Sequence, residues 1–310
     1  MQKLAALIAA AALALSPVAA AAKGGRAAFY AALAEQETRL AAIAHRLTTA
    51  SARWCPALTP QPGWILGDLR QFPNGDRGAA SEIYGDADGP FIAAVAPGSP
   101  AERAGLTRGT RIAAINGDAI LPAGDGPTIR IDTALVKLYT LDPAAAWTIT
   151  GADGRLYHIA PAPGCASAFR IELRGAQAAA NGILVRVTQK LARSIAEDDE
   201  LAAVVAHELA HNILRHRDRL GGDRSAARIR QTEFEADRLA VWLMADAGYD
   251  PAAAIRFWQR HKRPLIRAAS HPPRSERIVA IKAEMTAMTA ARAASITARP
   301  SLVDAVPPLE

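Results

Sequence analysis

Leu201 to Arg217, LAAVVAHELAHNILRHR, carries His207, Glu208 and His211 in the spacing H-E-x-x-H. Apolar residues at Leu201, Val204, Val205, Leu209 and Ile213 recur at helical spacing with no Gly or Pro among them, which predicts one buried helix. Positions i and i+4 of a helix stack one turn apart. Both imidazoles can therefore aim a nitrogen at one metal ion, with Glu208 facing its open coordination position. The donor set suits zinc, one Zn2+ per chain, a Lewis acid that brings a bound water to a pKa near ~7. Glu208 is placed to take the proton as that water attacks a carbonyl.

A catalytic zinc takes three protein ligands, so a third must lie elsewhere. The pattern H-E-x-x-H-x-x-G-x-x-H would need Gly at 214 and His at 217, but the chain has Leu214 and Arg217. The other arrangement takes a glutamate from a second helix. Arg230 to Ala247, RQTEFEADRLAVWLMADA, offers Glu233, Glu235 and Asp237, then Leu239, Ala240, Trp242, Leu243 and Met244 as an apolar stripe. Glu233 and Asp237 share a helical face. Glu233 is the expected third ligand, and Asp237 the acceptor for a ligand histidine. A solvated helix start, favoured by the dipole, would also be acidic, and Glu235 fits that description.

The elements that position these groups fall in a chain of 310 residues, long enough for two domains. Residues 1–22, MQKLAALIAAAALALSPVAAAA, have one basic residue, an apolar run from Leu4 to Leu15, Pro17 and then small residues. They read as a signal peptide cleaved near Ala20 to Ala22 of an exported, periplasmic protein, because the apolar core is short of the ~20 residues that span a bilayer. Residues 23–58 form an N-terminal helical segment with Phe29, Leu33, Leu40, Ile43 and Leu47 near helical spacing. Cys55 and Cys165 flank the segment that follows. In an oxidising compartment they could form a disulfide joining its ends, the alternative being two separate buried thiols. The net charge of +6 and pI near 9.6 come from scattered Arg and Lys without aromatic interleaving. This argues against nucleic acid and favours, at most, peripheral association with an anionic membrane surface.

HELAH, then E-x-x-A-D as Glu233, Ala236 and Asp237, then His271-Pro272 and Arg277-Ile278 resemble, in order and spacing, the zinc metallopeptidases that include HtpX, BepA and the CAAX prenyl protease. Asn181 to Thr188 and Asp199 to Ala203 are similar to that family's strand and helix lead-in, so the resemblance covers roughly residues 165–295. It implies Glu233 as third zinc ligand, Asp237 as its support, and His271 near the metal, where it could polarise a substrate carbonyl or occupy the open position. His-Pro also marks a plain turn. Arg277 could stabilise an oxyanion or pair with Glu233 or Asp237.

Phe91 to Leu106, FIAAVAPGSPAERAGL, and Arg111 to Gly117, RIAAING, resemble a PDZ domain of the bacterial exported-protease type: a strand, a Gly-Ser-Pro turn into a short helix, and a strand closed by an Asn-Gly turn. Such a module adds an extended peptide to a strand. Trp64-Ile65-Leu66-Gly67 is a poor match to the Gly-rich loop that holds a carboxylate, so a gate or docking face is the other role open to it.

The expected fold is α+β: a mostly α-helical peptidase domain at 164–296 with a small edge strand, a PDZ-like β-barrel at 59–163, and a disordered tail at 297–310. Ile183 to Val187 is expected to run along the cleft and pair with extended substrate, which makes unfolded or misassembled proteins the expected substrates of a zinc endopeptidase. The competing expectations are an envelope chaperone or adaptor with an occluded zinc site and a PDZ docking module, and a non-peptidase zinc hydrolase.

Overall fold

The computed structural model describes residues 17–86, 88–121, 124–175, 177–260 and 272–306, with side chains from residue 24 onward. His271 and residues 1–16, most of the expected signal peptide, lie outside the described residues. In chain order the elements are α1 (Pro17–Ala50), β1 (Leu58–Pro60), β2 (Trp64–Gly67), α2 (Arg77–Tyr84), β3 (Phe91–Val95), α3 (Pro100–Arg103), β4 (Ile112–Ile115), β5 (Asp118–Ala119) and α4 (Ile129–Tyr139). There follow β6 (Trp147–Gly151), β7 (Leu156–Ile159), β8 (Pro163–Cys165), β9 (Ala168–Glu172), β10 (Ala178–Ala180) and β11 (Leu184–Thr188). The helices α5 (Gln189–Ser194), α6 (Asp198–Ile213), α7 (His216–Leu220), α8 (Ala226–Asp246), α9 (Ala252–Arg260) and α10 (Arg274–Ala294) complete an α+β fold. No helix among the described residues is long and apolar enough to cross a membrane.

The long helix α1 is central. Its Tyr30, Leu33, Leu40, Ile43 and Leu47 are buried, and it packs against α2, β3, β9 and α6. The PDZ-like segment is built on the sheet β5-β4-β6-β7. Asn116 and Gly117, both at positive φ (48° and 81°), make the tight turn from β4 into β5 that the Asn-Gly pair predicts. Ser99 accepts a hydrogen bond from the Glu102 backbone N–H and so caps α3, with Pro100 in its first turn.

The side chains of β3 divide between two cores. Ile92 joins Leu66, Ile112, Ile131, Trp147 and Ile149 inside the PDZ-like segment, whereas Phe91, Ala93 and Ala94 join the core of α1 and the C-terminal helices. The segment therefore shares a strand with the rest of the molecule. Within it, Arg130 of α4 reaches both oxygens of the fully buried Asp68, and Arg170 of β9 holds it from outside through Asp132 at 2.8 Å. At its base, β1 pairs antiparallel with β8, and Cys55 and Cys165 form a disulfide with Cα atoms 5.4 Å apart. The space between β2 and α4, where a PDZ module takes its peptide, is also bounded by Ala41 and Ala44 of α1 and by Ser167 to Arg170, leaving a cavity of about 40 Å³.

Three expectations change. Leu184–Thr188 is the middle strand of the sheet β10-β11-β9, paired antiparallel with β10 and in parallel with β9, so it has no edge to offer a substrate. Short β10, which packs on α6, takes that edge position. Alternation alone marks a strand, not its neighbours. The tail is not featureless: residues 301–305 form a helical turn, and Val303 and Val306 are buried in the main core. Apolar spacing too short to show as a period pins the tail there. Finally, α8 begins at Ala226, capped by Ser225, so Glu233, Glu235 and Asp237 lie inside the helix and not at its solvated start.

Two stability measurements test this frame. The disulfide closes a separation of 110 residues. A double Cys55→Ala, Cys165→Ala chain should lose about 2–5 kcal/mol of unfolding free energy, read from urea midpoints. Glu37 is buried within α1, where it accepts a 2.7 Å hydrogen bond from the Tyr84 hydroxyl, and burial pushes its carboxyl up to about 7. A carboxyl raised by folding contributes full stability below its unfolded value and loses it as pH rises to the folded one. Wild type should therefore lose on the order of 3 kcal/mol relative to Glu37→Gln between about pH 4.5 and 7, with denaturation curves of the two chains diverging in that window.

Candidate metal centre

Helix α6 enters the core with Asp198, Asp199 and Glu200 in its first turn, where the dipole favours acid, and Glu200 is held by Arg260 at 2.9 Å. Its small residues Ala206 and Ala210 are fully buried, as is Ala236 on α8, and the two helices pack closely. That approach brings His207 and His211 of α6 opposite Glu233 of α8. The two Nε2 atoms are 3.1 Å apart, and the Glu233 oxygens lie 3.5 Å from His207 Nε2 and 3.6 Å from His211 Nε2.

This donor set fits zinc. Ligands about 2.0–2.2 Å from a tetrahedral ion are separated by about 3.3–3.5 Å, close to the triangle observed. Among the described residues, these three form the group able to hold a metal. Glu208, the next residue on α6, is half-buried, and desolvation by its surroundings raises its carboxyl above the ordinary value. That is the direction a general base working near neutrality requires.

Behind the ligands sits Asp237, 3.0 Å from His207 Nδ1, so His207 presents Nε2 to the metal position. Arg277 of α10 grips Asp237 through two 2.6 Å hydrogen bonds, lies 3.3 Å from Glu233 Oε2, and stacks on the Trp258 ring at 4.0 Å. Of the two roles open to Arg277, the geometry places it in the pairing one. Burial pushes both carboxyls up, but Arg277 on Asp237 and chiefly His207 on Glu233 outweigh it, so Asp237 is held below its ordinary value and Glu233 well below it. Burial likewise pulls His207 down, yet the bonds to Asp237 and Glu233 prevail and push it up to about 9. His211 is driven well below its ordinary value by burial and by His207.

The structure thus brings His207, Glu208, His211, Glu233, Asp237 and Arg277 together. Residues not foreseen also join: His216 Nδ1 is 2.8 Å from His211 Nδ1, and His216 Nε2 is 3.0 Å from Glu235 Oε2. A position five residues after His211 falls off the ligand face of a continuous helix, so periodicity conceals it. Only the break after Ile213, with Arg215 in the left-handed region at φ 52°, turns His216 back. The sequence signal for Glu235 was its acidity, which reads equally well as a solvated helix start.

His207 carries a proton below about pH 9 and must yield it to a metal. Zinc titration of the metal-free chain at pH 7.5 should release about one proton per ion, measured by calorimetry in buffers of different ionisation enthalpy, and the release should fall toward zero above pH 9.

No curated protein matches the chain. Residues 91–127 match the family model of the PDZ domain. Residues 174–222 and 224–285, which include every member of the cluster from His207 to Arg277, match that of Peptidase family M48, and metallopeptidase chemistry on protein or peptide substrates is what these two matches support.

Proposed function

We propose that the chain is a zinc-dependent endopeptidase of the cell envelope acting on unfolded or misassembled proteins. The observation that carries this reading is the His207, His211 and Glu233 triangle with Glu208 adjacent on the same helix, inside the segment that matches a peptidase family. A zinc ion held by the three would supply Lewis acidity toward a peptide carbonyl and toward water. Glu208 takes the proton from the attacking water and returns it to the leaving amine. Asp237, locked by Arg277, keeps His207 in the tautomer that offers Nε2. His271, outside the described residues, is proposed to assist from the substrate side.

Export follows from the leader-like residues 1–22, and the Cys55–Cys165 disulfide supports an oxidising compartment. With its groove bounded by the chain's own α1 and β9, the PDZ-like segment is better suited to docking or gating than to reading a free C-terminus. The intact Glu208 disfavours the chaperone or adaptor, which has no use for a general base.

The test is cleavage of reduced, denatured casein by the chain lacking its leader. Glu208→Gln should retain one zinc per chain and lose at least about 100-fold in cleavage rate. Undiminished cleavage by a metal-clean Glu208→Gln preparation would overturn the mechanism. Zinc in both chains with cleavage in neither would favour the adaptor.

A further inference from the structure

We propose that His216 and Glu235 are positioning residues that fix which nitrogen of His211 faces the metal, through a relay of three side chains. The inference rests on the zinc-site reading above and adds a determinant of metal affinity on the opposite side of His211.

The argument is one of hydrogen bookkeeping. Glu235 is ionised and only accepts. Its Oε2 takes a 2.8 Å hydrogen bond from Arg219 Nη1 and lies 3.0 Å from His216 Nε2, while its Oε1 accepts from Gln231 Nε2 at 2.9 Å. A ring nitrogen that close to a carboxylate oxygen must carry the hydrogen, since two lone pairs would repel. In neutral His216 the other nitrogen, Nδ1, is then an acceptor. It lies 2.8 Å from His211 Nδ1, which must donate. His211 is thereby left with a bare Nε2, the atom that faces Glu233 at 3.6 Å and His207 Nε2 at 3.1 Å. A carboxylate two rings away so dictates the tautomer that a metal ligand needs.

The site's construction agrees. His216 is only 2 % exposed and Glu235 is mostly buried, so water cannot substitute for either partner. The backbone adopts an uncommon conformation to place the ring: α6 ends at Ile213, and Arg215, a residue with a Cβ, takes φ 52° before α7 opens at His216. A non-glycine residue in that region is strained and persists where its surroundings enforce it. The two ligand histidines are therefore held differently, His207 directly by Asp237 and His211 through a neutral ring.

Zinc affinity of the chain lacking its leader, measured by competition with a chromogenic chelator, tests the relay. Outer partners of metal ligands contribute about 10–100-fold in affinity. His216→Ala should weaken zinc binding by that factor. His216→Asn, which keeps an acceptor beside His211, should recover part of the loss. Glu235→Ala should weaken binding in the same direction, and it keeps the proposal testable if His216→Ala does not fold. Nitrogen-15 shifts of the histidine rings in the zinc-loaded chain should show hydrogen on Nδ1 of His211 and on Nε2 of His216, a signature that mere packing would not produce. Affinities of folded His216→Ala and Glu235→Ala within twofold of wild type, or hydrogen on Nδ1 of His216, would overturn it. Loss of zinc in His211→Ala beside unchanged affinity in those two variants would remove the relay alone. A wild-type chain that binds no zinc would remove the zinc-site reading with it.

Discussion

The constraint on which the structure depends is the burial of two carboxylates, Glu233 and Asp237, one turn apart on α8. Leaving either ionised and unpaired in the interior would cost several kcal/mol. Arg277 supplies one positive charge and is itself oriented by two bonds to Asp237 and by the Trp258 ring beneath it. The second charge is supplied by protonated His207 in the metal-free chain, and a divalent cation held by the three ligands would take its place. Packing of α10 against α8 and of α8 against α6 is therefore bound to the electrostatics of one cluster, and the centre and the helical core stabilise each other.

The parts of this arrangement that were legible in the sequence are those that obey a helix period. His207, Glu208 and His211 lie within one turn of α6, and Glu233 and Asp237 within one turn of α8, so spacing alone places each set on a face. What spacing cannot give is the approach of two faces, and the role of Arg277 stayed divided until α10 was seen against α8. His216 was hidden for a different reason, since its position follows from a helix ending and a left-handed residue, neither of which Leu214-Arg215 announces.

Strand order was concealed by a similar gap between local and non-local information. Leu184–Thr188 carries the apolar character of a strand buried on both sides, which fits its place between β9 and β10, yet nothing in the three alanines of β10 signals that they pair with it. The ion pair of Arg130 with Asp68 and the bond of Tyr84 to Glu37 join residues 62 and 47 positions apart. Each satisfies a buried polar group that the sequence displays as an ordinary surface residue. The PDZ-like turns were readable because Asn-Gly and Ser-Pro encode local dihedral requirements, whereas the sharing of β3 between two cores was not.

That sharing bears on how the two halves of the molecule can act. Tyr139 at the end of α4 donates a 2.8 Å hydrogen bond to the Ile183 carbonyl, and the neighbouring Gly182 N–H donates at 2.7 Å to Asn212 Oδ1. Asn212 also donates from Nδ2 to Ser167 Oγ at 2.8 Å, beside β9. Asn212 follows His211 directly on α6. A displacement of α4, such as a ligand wedged between it and β2 would require, must break the Tyr139 bond or carry residues 182–183 with it, and the latter loads the end of α6 where the metal ligand and its relay sit. One hydrogen bond, from Tyr139, thus links α4 to residues 182–183, and through Gly182 and Asn212 to the last turn of α6.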